Sequence, residues 1–88
     1  MKTYTVVFAP EAEEQLAALY RYIAEQASRE VAFRYTNAIV EYCEGMDQVP
    51  LRGTRRDDIR PGLRITHYRG RTIIAFAVDA EQVSIVGV

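Results

Sequence analysis

The stretch PEAEEQLAALYRYIAEQASREVAFRYTNAIVEYCEGM, residues 10–46, decides the fold of this 88-residue chain. Its apolar residues recur with helical period in two consecutive runs. The first run predicts a helix with Pro10 in its opening turn and an end near Ala27. Its apolar stripe consists of Ala12, Leu16, Leu19, Tyr20, Ile23 and Ala27. Because one-sided stripes must be buried, this helix requires a surface to pack on.

The second helix is predicted to begin after Ser28, a residue type that caps helix N-termini well. Its apolar stripe consists of Ala32, Tyr35, Ile39, Tyr42, Cys43 and Met46. Only a couple of residues connect the two helices, and a connection that short requires an antiparallel helical hairpin.

Strand-like segments flank the hairpin on both sides. Residues 3–8 and 63–68 alternate, and residues 72–78 and 82–88 are rich in β-branched residues. The alternation in 63–68 puts Leu63, Ile65 and His67 on one face and Arg64, Thr66 and Tyr68 on the other. We therefore predict one α+β domain spanning residues 1–88, of order β-α-α-β-β-β. In it, an antiparallel helical hairpin packs on one face of a small, mostly antiparallel sheet.

Charge is divided unevenly along the chain. Residues 48–71 contain seven arginines against two aspartates, a local charge of +5, although the whole chain carries −1. Guanidinium groups suit carboxylates and phosphates, so this segment is predicted to bind an anionic partner. The candidate contact residues are Arg55, Arg56, Arg60, Arg64, Tyr68, Arg69 and Arg71. Arg64 is favoured most, because a strand position next to Pro-Gly is rigidly presented.

A plainer explanation of the arginines is a solvated loop in which Arg55 and Arg56 pair with Asp57 and Asp58. A sequence pI near 5.8 also argues against strong independent binding to nucleic acid. Both interpretations remain open at the level of sequence.

Several classes of protein are disfavoured by composition. A single cysteine, Cys43, and a single histidine, His67, supply neither an internal disulfide nor an ordinary zinc site, and we predict no metal or cofactor. Cys43 is expected to be a small buried apolar residue, and His67 an ordinary sheet residue. No apolar run approaches the ~18 residues of a membrane-spanning helix, and the N-terminal apolar run is too short for a signal peptide. We expect a cytoplasmic protein without a membrane partner.

Four short motifs, taken together and in their order along the chain, resemble the ParE/RelE toxin superfamily of type II toxin–antitoxin systems, and the ParE branch in particular. They are Tyr22-Ile23-Ala24, the turn from Pro50 to Gly53, Arg60-Pro61-Gly62-Leu63-Arg64, and Val83-x-Ile85 followed by Gly87-Val88. The resemblance covers essentially the whole chain. It implies a toxin neutralised by a cognate antitoxin with an acidic, partly disordered C-terminal segment. In ParE-like proteins the implied target is DNA gyrase, inhibited by binding and not by catalysis.

Two alternatives accompany this hypothesis. RelE-like members cleave messenger RNA on the ribosome, which requires a general acid, a general base and phosphate-binding cations. Here the only lysine is Lys2, arginine is a poor base, and His67 is predicted on the strand face opposite Arg64 and Tyr68. The sequence therefore offers no complete catalytic set, and we predict a protein that is not an enzyme. The other alternative is a non-toxic module that binds the antitoxin as a corepressor.

Overall fold

The computed structural model describes residues 4–48, 50–69 and 72–88. Its elements in chain order are β1 Thr5–Phe8, α1 Pro10–Gln26, α2 Arg29–Glu44, β2 Thr54–Arg55, β3 Leu63–Tyr68, β4 Thr72–Val78 and β5 Gln82–Gly87. A single 3₁₀ turn, Gly45–Asp47, follows α2. The predicted order of two helices and four main strands is confirmed. Thr3, which the sequence placed in the first strand, lies outside the described residues.

Both helices begin as the sequence predicts. Pro10 occupies the first turn of α1. The Ser28 side chain accepts a hydrogen bond from the Val31 amide at 3.1 Å and so satisfies one of the free donors at the start of α2. The prediction that Ala27 is the last residue of the first stripe is wrong, because Ala27 follows the end of α1 and is exposed. Met46 is buried as predicted, but in the 3₁₀ turn.

The sheet has five strands in the order β1-β5-β4-β3-β2. Strands β2 to β5 pair antiparallel with their neighbours, whereas β1 pairs parallel with β5, matching Phe8 with Ile85. Strand β2 was not predicted from the sequence. Its two residues pair with Ile65 and Arg64 of β3, and two residues are too few for an alternating pattern to be visible.

The helical hairpin packs on one face of the sheet. The core between the layers contains Ala12, Ile39, Cys43, Met46, Ile74, Phe76, Val83 and Ile85. On β3, the face of Thr66 and Tyr68 is directed at the helices, because the Tyr42 hydroxyl lies 3.4 Å from that of Thr66 and the Tyr35 ring meets the Tyr68 ring edge-on. His67 pairs with Ile73 of β4, and both side chains are exposed.

Tyr68, one of the predicted contact residues, is half-buried against the core. Its ring lies 6.3 Å from that of Tyr35 and 5.2 Å from that of Tyr42, centroid to centroid. Aromatic pairs prefer such tilted and edge-on arrangements. Because Tyr68 alternates with exposed His67 on the strand, the sequence pattern did not identify which face the helices cover.

Candidate partner-binding surfaces

The predicted contact residues divide into two groups at opposite ends of β3. Arg55, Arg56 and Arg60 lie in the segment before the strand, residues 50–62, which we call the arginine loop, and Arg64 is the second residue of β3. Tyr68 and Arg69 lie at the other end. Five residue steps separate Leu63 from Tyr68, roughly 17 Å along an extended chain. Arg71 lies outside the described residues. The structure thus gives two surfaces where the sequence predicted one.

Arg64 fastens the arginine loop to the sheet. Its Nε donates to the Arg52 carbonyl at 2.9 Å, and its Nη2 donates to the Leu51 carbonyl at 2.8 Å and to that of Gly53 at 3.5 Å. The side chain is half-buried. A guanidinium is suited to this role because its donors form a fixed planar fork. The rigid presentation expected for Arg64 therefore takes a specific form: its charge organises the backbone of the loop.

Gly53 permits the chain to pass close to β3 at the same point. Its φ is +79°, in the region that side chains rarely adopt, and an added Cβ would overlap the Ile65 carbonyl oxygen. The loop ends at a second turn, where Gly62 has φ +80° and its amide donates to an Asp57 carboxylate oxygen at 2.9 Å. Both glycines are required by local geometry, and together they give the loop a defined path.

Two more arginines of the loop form ion pairs within the chain. Arg55 Nη2 lies 2.7 Å from Asp57, and Arg56 binds both carboxylate oxygens of Asp58, with two distances of 3.1 Å. The pairing proposed as the plainer explanation is therefore present. The Gly62 amide and then Arg55 lower the pKa of Asp57, Arg56 lowers the pKa of Asp58, and Asp58 raises the pKa of Arg56. These exposed pairs contribute little stability, but they reduce the free positive charge.

The loop also exposes apolar side chains that the sequence analysis missed. Ile59 and Leu51 are 59% and 66% exposed, and Arg60 beside Ile59 is exposed as well. Among the residues that the structure describes, no acceptor lies within hydrogen-bond distance of the Arg60 side chain. An isolated isoleucine between Asp58 and Arg60, outside any periodic pattern, was the available signal. The tip of the loop thus combines one apolar residue with one unpaired cation.

Arg52 connects the loop to the tyrosines of the core. Its guanidinium carbon lies 4.9 Å from the centre of the Tyr42 ring, and its buried Nε has no hydrogen-bond partner among the described residues. The Thr66 hydroxyl and then Arg52 lower the pKa of Tyr42, against the opposing effect of burial. Cys43 next to Tyr42 is fully buried, and burial, followed by the charge of Glu44, raises its pKa to about 11. The expectation of a packed, unreactive cysteine fits this environment.

The second group lies at a pocket between α2 and the turn after β3. The pocket has a volume of about 320 Å³. Its lining residues are Val31, Arg34, Tyr35, Ala38, Tyr68 and Arg69, and we call it the tyrosine pocket. Arg34 was not predicted as a contact residue. The available signal was helical spacing, because Val31, Arg34 and Ala38 lie on the helix surface next to Tyr35 of the apolar stripe.

No helix in the described part of the chain is long and apolar enough to cross a lipid bilayer. The architecture is a two-helix hairpin on a five-stranded mixed sheet, with arginine-bearing surfaces at both ends of β3. The structure is similar to one from the chromosomal ParDE toxin–antitoxin system of P. aeruginosa, with a TM-score of 0.81 over 97% of this chain and 92% of that one. The two sequences are 24% identical, so this similarity concerns the fold.

The sequence comparison defines the family. Residues 6–88 match the family described as the ParE toxin of the type II toxin–antitoxin system parDE. The chain therefore belongs to the ParE toxin family, and the resemblance found in its motifs is confirmed. No protein with curated annotation matches the sequence.

Proposed function

We propose that this protein is the toxin of a type II toxin–antitoxin module, that it inhibits DNA gyrase by binding, and that a cognate antitoxin neutralises it. The observation that carries the proposal is the family match over residues 6–88. Gyrase is the target implied by the ParE branch. Because gyrase acts on the chromosome, this function places the protein in the bacterial cytoplasm.

The arginine loop is the proposed gyrase-binding surface. Its tip offers Ile59 and Arg60, an exposed apolar side chain beside an unpaired cation, and arginine is enriched among the energetically important residues of interfaces. Arg55 and Arg56 lie behind the tip and can exchange Asp57 and Asp58 for carboxylates of a partner. Arg64 acts indirectly by holding the loop backbone. A loop already held in one conformation loses less entropy when it binds.

A binding mechanism is supported by the arrangement of titratable groups. Cleavage of RNA through its 2′-hydroxyl requires a proton acceptor and a proton donor beside the phosphate-binding cations. The exposed His67 lies on the strand face opposite Arg64 and Tyr68, and arginine remains protonated at neutral pH. Inhibition by binding needs neither group. The messenger-cleaving alternative therefore gains no support from the described residues, and it is tested as a competing outcome.

The proposed antitoxin carries an acidic, partly disordered segment that becomes ordered on the toxin. Such a segment is attracted by the unpaired arginines and buries its apolar side chains on the toxin surface. Tyr68 and Arg69 at the tyrosine pocket are proposed to contact this segment. Arg71 stays among the proposed contact residues on the basis of sequence alone.

Two assays on one preparation test the function. Purified gyrase is titrated with the protein and DNA supercoiling is measured, and ribosome-dependent cleavage of messenger RNA is measured in parallel. We expect loss of supercoiling with intact messenger. We expect Arg60→Ala to weaken inhibition at least tenfold, whereas Arg21→Ala, which removes an exposed arginine of α1, should leave inhibition within twofold of wild type. Cleaved messenger with normal supercoiling would establish the nuclease instead, and inactivity in both assays would favour the corepressor.

A further inference from the structure

The tyrosine pocket differs from the arginine loop in that its cations are available. Among the described residues, Arg34 has one carboxylate within 4 Å, that of Glu30 at 4.0 Å, and both side chains are more than two-thirds exposed. Arg69 lies over the Tyr68 ring, 5.5 Å from its centre. Within residues 4–48, 50–69 and 72–88, no carboxylate lies within 4 Å of the Arg69 guanidinium. Two guanidinium groups thus border the pocket with little competition from the protein itself.

The lining of the pocket other than its two arginines is aliphatic and aromatic. Val31 and Ala38 contribute aliphatic surface from α2, and Tyr35 and Tyr68 contribute their rings. The Tyr35 hydroxyl is hydrogen-bonded to the Thr72 hydroxyl at 2.7 Å, which joins α2 to the start of β4. A volume of about 320 Å³ accommodates one or two side chains, because ligand sites of drug size begin near ~300 Å³. The pocket is therefore shaped for an apolar side chain with an anionic neighbour.

The backbone at Arg69 provides an independent observation. Its φ is +53°, the only positive φ among the described residues other than glycine. Asparagine and glycine adopt this conformation more readily than arginine does. An unfavourable residue type at a turn often has a role beyond the turn. Here the visible consequence is that a guanidinium lies at the wall of the pocket.

We propose that the tyrosine pocket receives an apolar side chain of a partner polypeptide whose neighbouring carboxylates pair with Arg34 and Arg69. The inference rests on the proposed function for the identity of this partner, the antitoxin, and on the pocket for its chemistry. It assigns the antitoxin a contact that is separate from the gyrase-binding loop. The two partners then occupy opposite ends of β3.

The pocket favours a polypeptide over a nucleic acid. Two arginines neutralise few phosphates, and the electrostatic affinity of nucleic-acid binding grows with the number of phosphates contacted. Glu30 and Glu41 also lie on α2, so the surroundings of the pocket are not uniformly basic. Arg69 lies over the Tyr68 ring and the Tyr35 ring meets that ring edge-on, which leaves less aromatic surface for a stacked base.

The test uses peptides selected from a displayed library of random 12-residue sequences, with the wild-type protein as bait. Affinities of the selected peptides are then measured for three variants. Ala38→Phe fills the pocket and keeps both cations. The double variant Arg34→Gln/Arg69→Asn removes both charges, and the asparagine at position 69 readily adopts the positive φ of that position. Arg21→Gln is the matched control, an exposed arginine of α1 outside the pocket. Circular dichroism establishes that each variant is folded.

We expect selected peptides to carry Asp or Glu within four positions of Leu, Ile or Phe. They should bind Ala38→Phe and the double variant at least tenfold more weakly and Arg21→Gln within twofold of wild type. Added salt should reduce the deficit of the double variant. Should Ala38→Phe not fold, the double variant decides alone.

Failure to select any peptide, selection of peptides without carboxylates, or equal affinity for all the proteins would overturn the proposal. Displacement of the peptides by a single-stranded oligonucleotide at lower concentration would also overturn it. The supercoiling assay on wild-type protein is independent of these results. Absence of gyrase inhibition with pocket-dependent peptide binding removes the proposed target and keeps the pocket, and the opposite pair of results removes only the pocket.

Discussion

The arginine loop and the tyrosine pocket both carry arginines, but in the described structure Arg55 and Arg56 of the loop are bound to close acceptors of the same chain and the arginines of the pocket are not. In the loop, Arg55 and Arg56 bind the chain's own aspartates and Arg64 binds its own carbonyl groups. At the pocket, Arg34 and Arg69 have no comparably close acceptor among the described residues. The comparison shows that a dense run of arginines in a sequence does not identify the arginines that are free to bind a partner. In the loop most of the charge builds structure.

The strongest test of the loop as a built structure is Gly53→Ala. The substitution places a Cβ against the Ile65 carbonyl and requires alanine at φ +79°. We expect a loss of about 2 kcal/mol or more in the free energy of unfolding, measured in urea. Gly45→Ala is the matched control, because Gly45 has φ −66° and open space around its Cβ position. It should be neutral or stabilising by ~0.4–1 kcal/mol. Equal effects of the two substitutions would contradict a tightly held loop.

Arg64→Ala separates structural arginines from available ones. It removes two short hydrogen bonds to loop carbonyls from a half-buried guanidinium. We expect a folded protein that is about 1–2 kcal/mol less stable, with faster hydrogen exchange in the loop and weaker gyrase inhibition. Arg60→Ala should change stability by less than ~0.5 kcal/mol, because the Arg60 side chain is exposed and forms no ion pair in the described structure. An Arg64→Ala protein as stable as Arg60→Ala would show that the carbonyl contacts are dispensable.

The parts of the fold that depend on local pattern were predictable from the sequence. The stripes of α1 and α2, the Ser28 cap and the bounds of β3 follow from spacings within one element. The parallel pairing of β1 with β5 joins residues more than 70 positions apart, and local periodicity carries no information about such pairing. Strand β2 exists because Gly53 and Arg64 bring the loop to β3. These features arise from tertiary contacts.

The candidate surfaces were predictable only in part, for the same reason. Arg55 and Arg56 stand two positions before Asp57 and Asp58, so their pairing could be suggested from sequence. The tyrosine pocket combines Arg34 and Tyr35 of α2 with Tyr68 and Arg69, more than 30 residues further on. Its existence depends on which face of β3 the helices cover. The alternation of β3 defines two faces without distinguishing them.

On the pocket side, Tyr35→Phe tests whether the pocket wall is held in place. It removes the 2.7 Å hydrogen bond to Thr72 and keeps the ring. We expect a loss of about 1 kcal/mol in the free energy of unfolding. Tyr42→Phe is the matched comparison, because the Tyr42 hydroxyl lies 3.4 Å from that of Thr66, and it should cost less than ~0.5 kcal/mol. The reverse order of the two effects would indicate that α2 is joined to the sheet mainly through Tyr42.

The smallest expected effect is a pH dependence confined to the loop. The pKa of Asp57 is lowered by the Gly62 amide and then by Arg55, so the folded state favours the ionised carboxylate. The resulting stabilisation is present above the pKa of the unfolded chain, and it is lost as pH falls through the lower pKa of the folded state. No change is therefore expected between pH 7 and 5, and the loop should loosen below pH ~4.

The Gly62 amide proton provides a direct measurement by NMR. Its chemical shift should titrate with a midpoint below the ordinary pKa of an aspartate. Asp57→Asn keeps an oxygen acceptor for the Gly62 amide and removes the titrating group, so the midpoint should disappear in that variant. The chemical shift of the Arg69 amide is the internal reference and should not follow this titration, because Asp57 lies at the other end of β3. A wild-type midpoint at or above the ordinary value would mean that Asp57 is not engaged by Gly62 and Arg55. Arg55 would then be as available as the arginines of the pocket.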